Sequence, residues 1–170
     1  MTIQIRKGVF ETNSSSTHSI CIAKDAELSI PQTLDFKFGE FGWEKDTLRS
    51  TNEKASYLFT ALCSMAMINE LDAIIKYLQS EGIEVTCEDA EYFSYDSGDG
   101  VTRTSLSIDE GYVDHVSNLK EFLDAICADT NKLMRYLFSH LSFIITGNDN
   151  NDHDVSIHVA YEYDGYYKGN

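Results

Sequence analysis

The chain has 170 residues, and its 13 Lys or Arg side chains against 28 Asp or Glu give a formal net charge of −15. A hydrophobic content of 42 % and this length predict a single globular domain over residues 1–170. No apolar run approaches the roughly 20 residues that span a bilayer, and the acidic balance argues against a basic nucleic-acid binder.

The first half of the chain is predicted to pass from strands to helices. Met1–Lys7 lacks the apolar run of a signal peptide, so we expect a cytoplasmic protein. Alternating apolar residues predict strands, and apolar residues spaced three and four apart predict helices. The strands are predicted over Ile3–Phe10, Ser19–Ala23 and Leu34–Phe38, and the helices, as a pair or as one bent helix, over Thr51–Met65 and Asn69–Ser80.

The second half repeats this alternation. Strands are predicted over Ile83–Cys87, Tyr92–Tyr95, Val101–Thr104, Phe143–Thr146 and Val155–Tyr163, with a turn over Ser97–Gly100 that makes a hairpin of the second and third. A helix is predicted from Asn118, with an interruption over Asp129–Asn131 before a second helical stretch. This order indicates an α+β fold: a mostly antiparallel sheet with helices packed on one face.

Seven consecutive polar residues, Thr12–His18, lie between two predicted strands. Such a run can hold a tight turn through hydrogen bonds to nearby backbone amides, or it can present hydroxyls and amides to an anion such as a phosphate. The second interpretation makes this segment a catalytic loop of a nuclease or phosphotransfer enzyme. In that case His18 would be the general acid or base, and Arg6 or Lys7 would stabilise the developing charge. The residues that hold a phosphate would be Ser14, Ser15 and Ser16.

This segment also carries a resemblance. The string VFETNSSSTHS over Val9–Ser19, preceded by Ile5–Gly8, resembles the N-terminal signature of a family of phage and prophage proteins from Gram-positive bacteria. The likeness extends over about the first 25 residues and the FGEFGWE string, Phe38–Glu44. The chain is also similar in character to the protein inhibitors of type II CRISPR effectors. That likeness implies a phage protein that acts in the host cytoplasm on a host protein complex, such as Cas9 with its guide RNA.

Three histidines are candidates for a single divalent metal such as zinc. His153 and His158 flank the last predicted strand, and His18 closes the polar run. If the first and last strands are neighbours, these imidazoles can converge as ligands. Scattered surface or hydrogen-bonded histidines are the alternative.

Two groups of residues are candidates for binding a partner. The acidic group can imitate the phosphates of a nucleic acid in a basic groove, or it can be a set of solvated turns; its members are Glu88, Asp89, Glu91, Asp96 and Asp99. The other group is Tyr166 and Tyr167, in a tail predicted to be exposed or docked on a partner, since tyrosine is favoured at interfaces.

Together these patterns favour a binding module over an enzyme. The predicted function is inhibition of a host nucleic-acid-processing defence complex, and most specifically of a Cas9-type effector, through an acidic surface and without direct nucleic-acid binding. The alternatives are the enzyme acting through Asn13–His18 and a phage protein with a housekeeping or structural role.

Overall fold

The computed structural model describes residues 16–24, 27–42, 44–96, 98–106, 111–148 and 163–169. The predicted strand over Ile3–Phe10 lies outside these ranges, as does all but the last residue of the strand predicted over Val155–Tyr163.

The described elements alternate between strands and helices, as the sequence predicts. The strands are β1 Ser16–Ala23, β2 Thr33–Phe36, β3 Glu40–Phe41, β4 Asp46–Leu48, β5 Glu84–Cys87, β6 Tyr92–Asp96, β7 Thr102–Leu106, β8 Tyr112–Val113, β9 Phe143–Asn148 and β10 Tyr163–Gly169. The helices are α1 Thr51–Ser64, α2 Ile68–Ser80, a 3-10 turn Val116–Leu119, α3 Lys120–Ala128 and α4 Thr130–Phe138. The α+β class is confirmed.

The main sheet has four strands in the order β10-β1-β9-β4, and every neighbouring pair in it is antiparallel. β1 lies inside it, with Ile20 opposite Ile144 of β9 and opposite Tyr167 of β10. All eight residues of β1 are buried, so this strand is enclosed on both faces.

Three two-stranded pairs stand beside the main sheet. β2 and β5 pair in parallel, as do β3 and β8, while β6 and β7 form the predicted antiparallel hairpin. In β2 the predicted alternation is confirmed, because Leu34 and Phe36 are buried while Thr33 and Asp35 are exposed.

One hydrophobic core joins the helices to the sheet. Ile20 and Ile22 of β1 belong to the same buried cluster as side chains from α1, α2, α3 and α4. Helix α1 contributes nine buried residues between Lys54 and Cys63, more than any other described helix. Its start is fixed by a capping box, in which Ser50 Oγ accepts from Glu53 N and the Glu53 carboxylate accepts from Ser50 N at 2.8 Å.

Helices α1 and α2 are a pair, separated at Ala66, which has a φ of 53°. A side chain in this left-handed region costs about 1–2 kcal/mol. The end of α2 avoids this cost, because the residue with positive φ there is a glycine. Gly82 follows the C-cap with a φ of 85°, and its N–H donates to the Gln79 carbonyl at 3.0 Å. The predicted end of this helix at Ser80 is confirmed.

Two substitutions at these left-handed positions should have opposite effects on stability. Ala66 and Gly82 are both exposed, so packing changes little at either. We expect Ala66→Gly to raise the free energy of unfolding by about 1 kcal/mol and Gly82→Ala to lower it by about the same amount. Urea denaturation of both variants beside the parent protein measures the two changes. Destabilisation by Ala66→Gly would contradict the backbone geometry described for the helix junction.

Candidate functional site

His18 lies inside the protein. It is a β1 residue with no exposed surface, and its ring faces Tyr57 of α1. Nε2 lies 2.8 Å from the Asp114 carbonyl oxygen, and Nδ1 lies 3.0 Å from the Tyr57 hydroxyl. Both ring nitrogens therefore have a hydrogen-bond partner within the fold.

These two contacts fix the tautomer of His18. A carbonyl oxygen can only accept, so Nε2 carries the proton and donates to Asp114, while Nδ1 accepts from the Tyr57 hydroxyl. Burial lowers the pKa of His18 below its usual value, and the Asp114 carbonyl and carboxylate oppose this effect only in part. The fold thus holds a neutral imidazole.

Gly42 closes the space beside this imidazole. A Cβ at position 42 would stand 2.7 Å from Asp114 Cβ and 3.2 Å from His18 Cε1, and the φ of Gly42 is +131°. Only glycine fits such an approach. Gly42 also lines a cleft of about 320 Å³, whose other lining residues are three acids, two aromatic residues and one threonine: Glu40, Glu44, Asp46, Phe41, Tyr112 and Thr146.

The segment predicted as a polar loop is different in the structure. Ser16, Thr17 and His18 are strand residues of β1 and are buried, so the prediction that the loop runs through His18 is wrong. Ser16 Oγ lies 3.4 Å from His18 Nε2. Because Nε2 donates to Asp114, it has no free lone pair with which to accept the serine proton. Ser14, Ser15, Arg6 and Lys7, the other residues of the catalytic hypothesis, lie outside the described ranges.

His18 is also one of the three histidines predicted to bind a metal. A metal on His18 would have to displace either Tyr57 or Asp114 from its ring nitrogen. His153 and His158 are outside the described residues, so their position relative to His18 stays a prediction. Among the residues the structure describes, no three His, Cys, Asp or Glu side chains are grouped to hold a metal ion.

Lys54 is a buried charged residue that sequence patterns did not single out. It is 1 % exposed, and its Nζ donates to the carbonyl oxygens of Ser139 at 2.6 Å and Ser142 at 3.3 Å. Burial lowers its pKa to about 8. Since both partners are backbone carbonyls of the turn between α4 and β9, the contact ties helix α1 to that turn.

The predicted acidic group lies on and beside the β6–β7 hairpin. Tyr92, the first residue of β6, is half-buried against the core, but every residue from Phe93 to Asp96 is exposed. The described residues of the turn, 98–101, are exposed as well. Since both faces of β6 are exposed beyond Tyr92, the outer half of the hairpin projects from the body of the protein.

Two aromatic rings stand on this projecting strand among the acids. Phe93 is 48 % and Tyr95 is 44 % exposed, and their ring centroids are 5.9 Å apart. Residues 77–106 contain seven acidic side chains and one basic side chain, Arg103, which lies opposite Tyr95 in the β6–β7 register. We call the following set the hairpin surface: Glu88, Asp89, Glu91, Phe93, Tyr95, Asp96 and Asp99.

Three carboxylates of the hairpin surface also organise the backbone. Glu88 accepts from Phe38 N at 2.8 Å, Asp96 from Gly98 N at 2.9 Å and Asp99 from Val101 N at 3.0 Å. Asp89 and Glu91 are exposed and hold no such bond to the described backbone. The charge of those two residues can therefore be changed without altering the turn.

The C-terminal tyrosines lie in a strand, whereas the sequence predicted a tail for this segment. Residues 163–169 form β10 and pair with β1, so the tail predicted from Tyr166 to be exposed or docked on a partner is instead part of the sheet. Tyr167 packs edge-on against Phe122 at 5.6 Å, and Lys132 Nζ donates to its hydroxyl at 3.3 Å. Tyr166 is opposite Cys21 in the register. The hairpin surface does not include either residue.

The chain matches no protein-family model, no curated protein and no solved structure. None of the helices in the described ranges has the length and hydropathy needed to cross a membrane.

Sequence reasoning found the acids of the hairpin surface but not its aromatic residues. The sequence does contain a sign of these exposed rings. Neighbouring residues of a strand point to opposite faces, so Tyr92 and Phe93 cannot both be buried on one face. Tyr57 was assigned to no site because it lies 39 positions from its partner His18. No local pattern connects residues at that separation.

The neutral state of His18 predicts a specific dependence of stability on pH. An unfolded histidine takes up its proton near pH 6.5, and the folded protein does so only at lower pH. The unfolded state therefore binds more protons as the pH falls through 6.5, and stability decreases by at most about 1.4 kcal/mol per pH unit.

Unfolding free energies at pH 7.5 and 5.5 for the parent protein and for His18→Gln test this expectation. Carboxylates titrate in both proteins, so the difference between them isolates the histidine. The parent should lose more than the variant over this range, by at most about 1.4 kcal/mol. Equal losses would mean that His18 is not held neutral.

Proposed function

We propose that this protein is a binding module that inhibits a host nucleic-acid-processing defence complex by docking the hairpin surface into a basic groove. The observation that carries the proposal is the pair of exposed rings, Phe93 and Tyr95, on a projecting strand. The charged side chains near these rings are mostly carboxylates, and Arg103, opposite Tyr95, is the one cation among the described residues of the hairpin. Their exposure leaves apolar area in water that a partner can bury.

Charge and aromatic area have different roles in such a contact. Carboxylates steer the protein toward a basic partner over about 10 Å at 0.1 M salt, and they set the orientation. Aromatic rings supply the buried area, since each can bury about 150–250 Å². The hairpin surface combines both on and beside one hairpin, which is the arrangement expected of a recognition surface.

The most specific form of the proposal is inhibition of a guide-loaded Cas9-type effector. Such effectors hold guide and target in a positively charged channel. A chain of charge −15 with a projecting acidic hairpin complements that channel. The resemblance of Val9–Ser19 to phage proteins supports a target that belongs to host defence.

Inhibition by binding is favoured over an enzyme acting through His18. The imidazole has no exposed surface and both of its nitrogens are occupied. A general acid or base must reach its substrate within hydrogen-bond distance.

Target-DNA cleavage by a guide-loaded Cas9-type effector, titrated with this protein, tests the proposal. Guide RNA and DNA are both followed on denaturing gels. We expect inhibition near one equivalent with the guide intact. Shortened guide, or inhibition well below one equivalent, would indicate an enzyme, and undiminished cleavage would exclude this effector as the target.

Removing charge from the hairpin surface should weaken the inhibitor. We expect Asp89→Asn with Glu91→Gln to reduce affinity for the target about tenfold and to reduce its salt dependence. Both side chains are exposed, so the fold should be unaffected. Binding is measured at 50, 150 and 300 mM salt.

The matched control removes the same charge elsewhere. Asp72→Asn with Glu27→Gln also changes one Asp and one Glu, both exposed and outside the hairpin surface. This variant should bind like the parent. If the two double variants lose affinity equally, net charge rather than the hairpin surface determines binding.

A further inference from the structure

An Asp–Gly pair lies at the tip of the β6–β7 hairpin. Asp99 and Gly100 belong to the turn between the strands, and both residues are exposed. The Asp99 carboxylate accepts from Val101 N at 3.0 Å, so its side chain is folded toward the peptide groups that follow it. Gly100 has a φ of +79°, and a Cβ at this position would meet no atom within 4 Å. The space beside Gly100 is therefore open.

This pair has the atoms needed for a reaction of the backbone with a side chain. The nitrogen of the residue that follows an aspartate can attack the carbon of the carboxyl group and close a five-membered succinimide ring. A C–N bond forms, and the proton of the nitrogen leaves with the carboxyl hydroxyl as one water molecule. Water then breaks either carbonyl–nitrogen bond of the ring, and one product is isoaspartate, whose backbone runs through the side-chain carbon. Glycine favours the attack, because it has no Cβ and its backbone rotates most freely.

The second Asp–Gly pair of the chain is held in the main sheet. Asp164 and Gly165 lie in β10. Gly165 is opposite Ile22 of β1 and Tyr163 is opposite Ala23, so Asp164 is the extra residue of a bulge between two paired positions. Ring closure there requires the paired backbone to separate first. Opening a paired strand costs free energy that an exposed turn does not require.

We propose that Asp99 is a site of spontaneous isoaspartate formation in the folded protein, with water as the only co-reactant, and that Asp164 is protected from the same reaction. Isoaspartate at position 99 adds one methylene group to the backbone of the turn and moves the carboxylate that holds Val101 N. The reaction therefore alters the tip of the hairpin surface. This inference is independent of the proposed function, because the reaction needs no partner.

Peptide mapping of aged protein tests the inference. The full chain is kept at 37 °C and pH 6 for several weeks and is then digested with trypsin, which releases the two sites in separate peptides, residues 77–103 and 136–168. Electron-transfer fragmentation identifies isoaspartate at each position, although the mass is unchanged. We expect at least about tenfold more isoaspartate at Asp99 than at Asp164.

The same chain in concentrated urea is the control for the effect of sequence. Without the sheet both pairs are equally free, so the preference for Asp99 over Asp164 should disappear. The pH dependence in the folded protein is a second signature. A protonated carboxyl group loses water more readily than a carboxylate does, so formation at Asp99 should be slower at pH 8 than at pH 6.

Two exposed aspartates in one tryptic peptide allow a matched pair of variants. Asp99→Glu keeps the charge but would need a six-membered ring, which closes much more slowly, so it should remove the isoaspartate from residues 77–103. Asp89→Glu makes the same change at an aspartate that is followed by alanine, and it should leave the amount as in the parent.

Three outcomes would overturn the inference. They are equal amounts at Asp99 and Asp164 in the folded protein, isoaspartate at Asp99 only in urea, and a signal in residues 77–103 that survives Asp99→Glu. None of them bears on inhibition of a target complex, because the cleavage assay measures that property on fresh protein.

Discussion

The structure depends on burying a strand that is half polar. β1 is enclosed on both faces, and its first four residues, Ser16–Ser19, are all polar. A buried polar group without a partner costs about 1–3 kcal/mol, so the surrounding elements must bring partners to it. Tyr57 from α1 and the Asp114 carbonyl after β8 do this for His18. The same requirement holds at the other end of β1, where Ala23 N donates to Ser142 Oγ.

These hydrogen bonds explain how elements far apart in the sequence are held at fixed positions relative to one another. The contact from His18 to Asp114 joins residues 96 apart, and the contact from Lys54 to Ser139 joins residues 85 apart. Apolar packing alone tolerates small displacements, whereas hydrogen bonds to a buried imidazole or ammonium do not. The polar interior therefore gives the sheet and helix α1 one relative position.

The same contacts show what sequence patterns could predict. The helices and the β6–β7 hairpin follow from apolar spacing and local turn residues, and they were predicted close to their actual bounds. The polar run through His18 was misassigned, because its local composition is that of a loop and the residues that make it a buried strand come from elsewhere. For the same reason β10 was predicted as a tail, since pairing with β1 is a long-range event.

The bonds that Glu88, Asp96 and Asp99 make to backbone N–H groups have a consequence for the thermodynamics of association. A flexible acidic loop loses conformational entropy when a partner orders it, and that loss subtracts from the affinity. Here three of the carboxylates are already held by hydrogen bonds to backbone N–H groups of described residues. Association with a cationic surface should therefore involve little further ordering, and its rate should be governed by diffusion and charge rather than by folding of the hairpin.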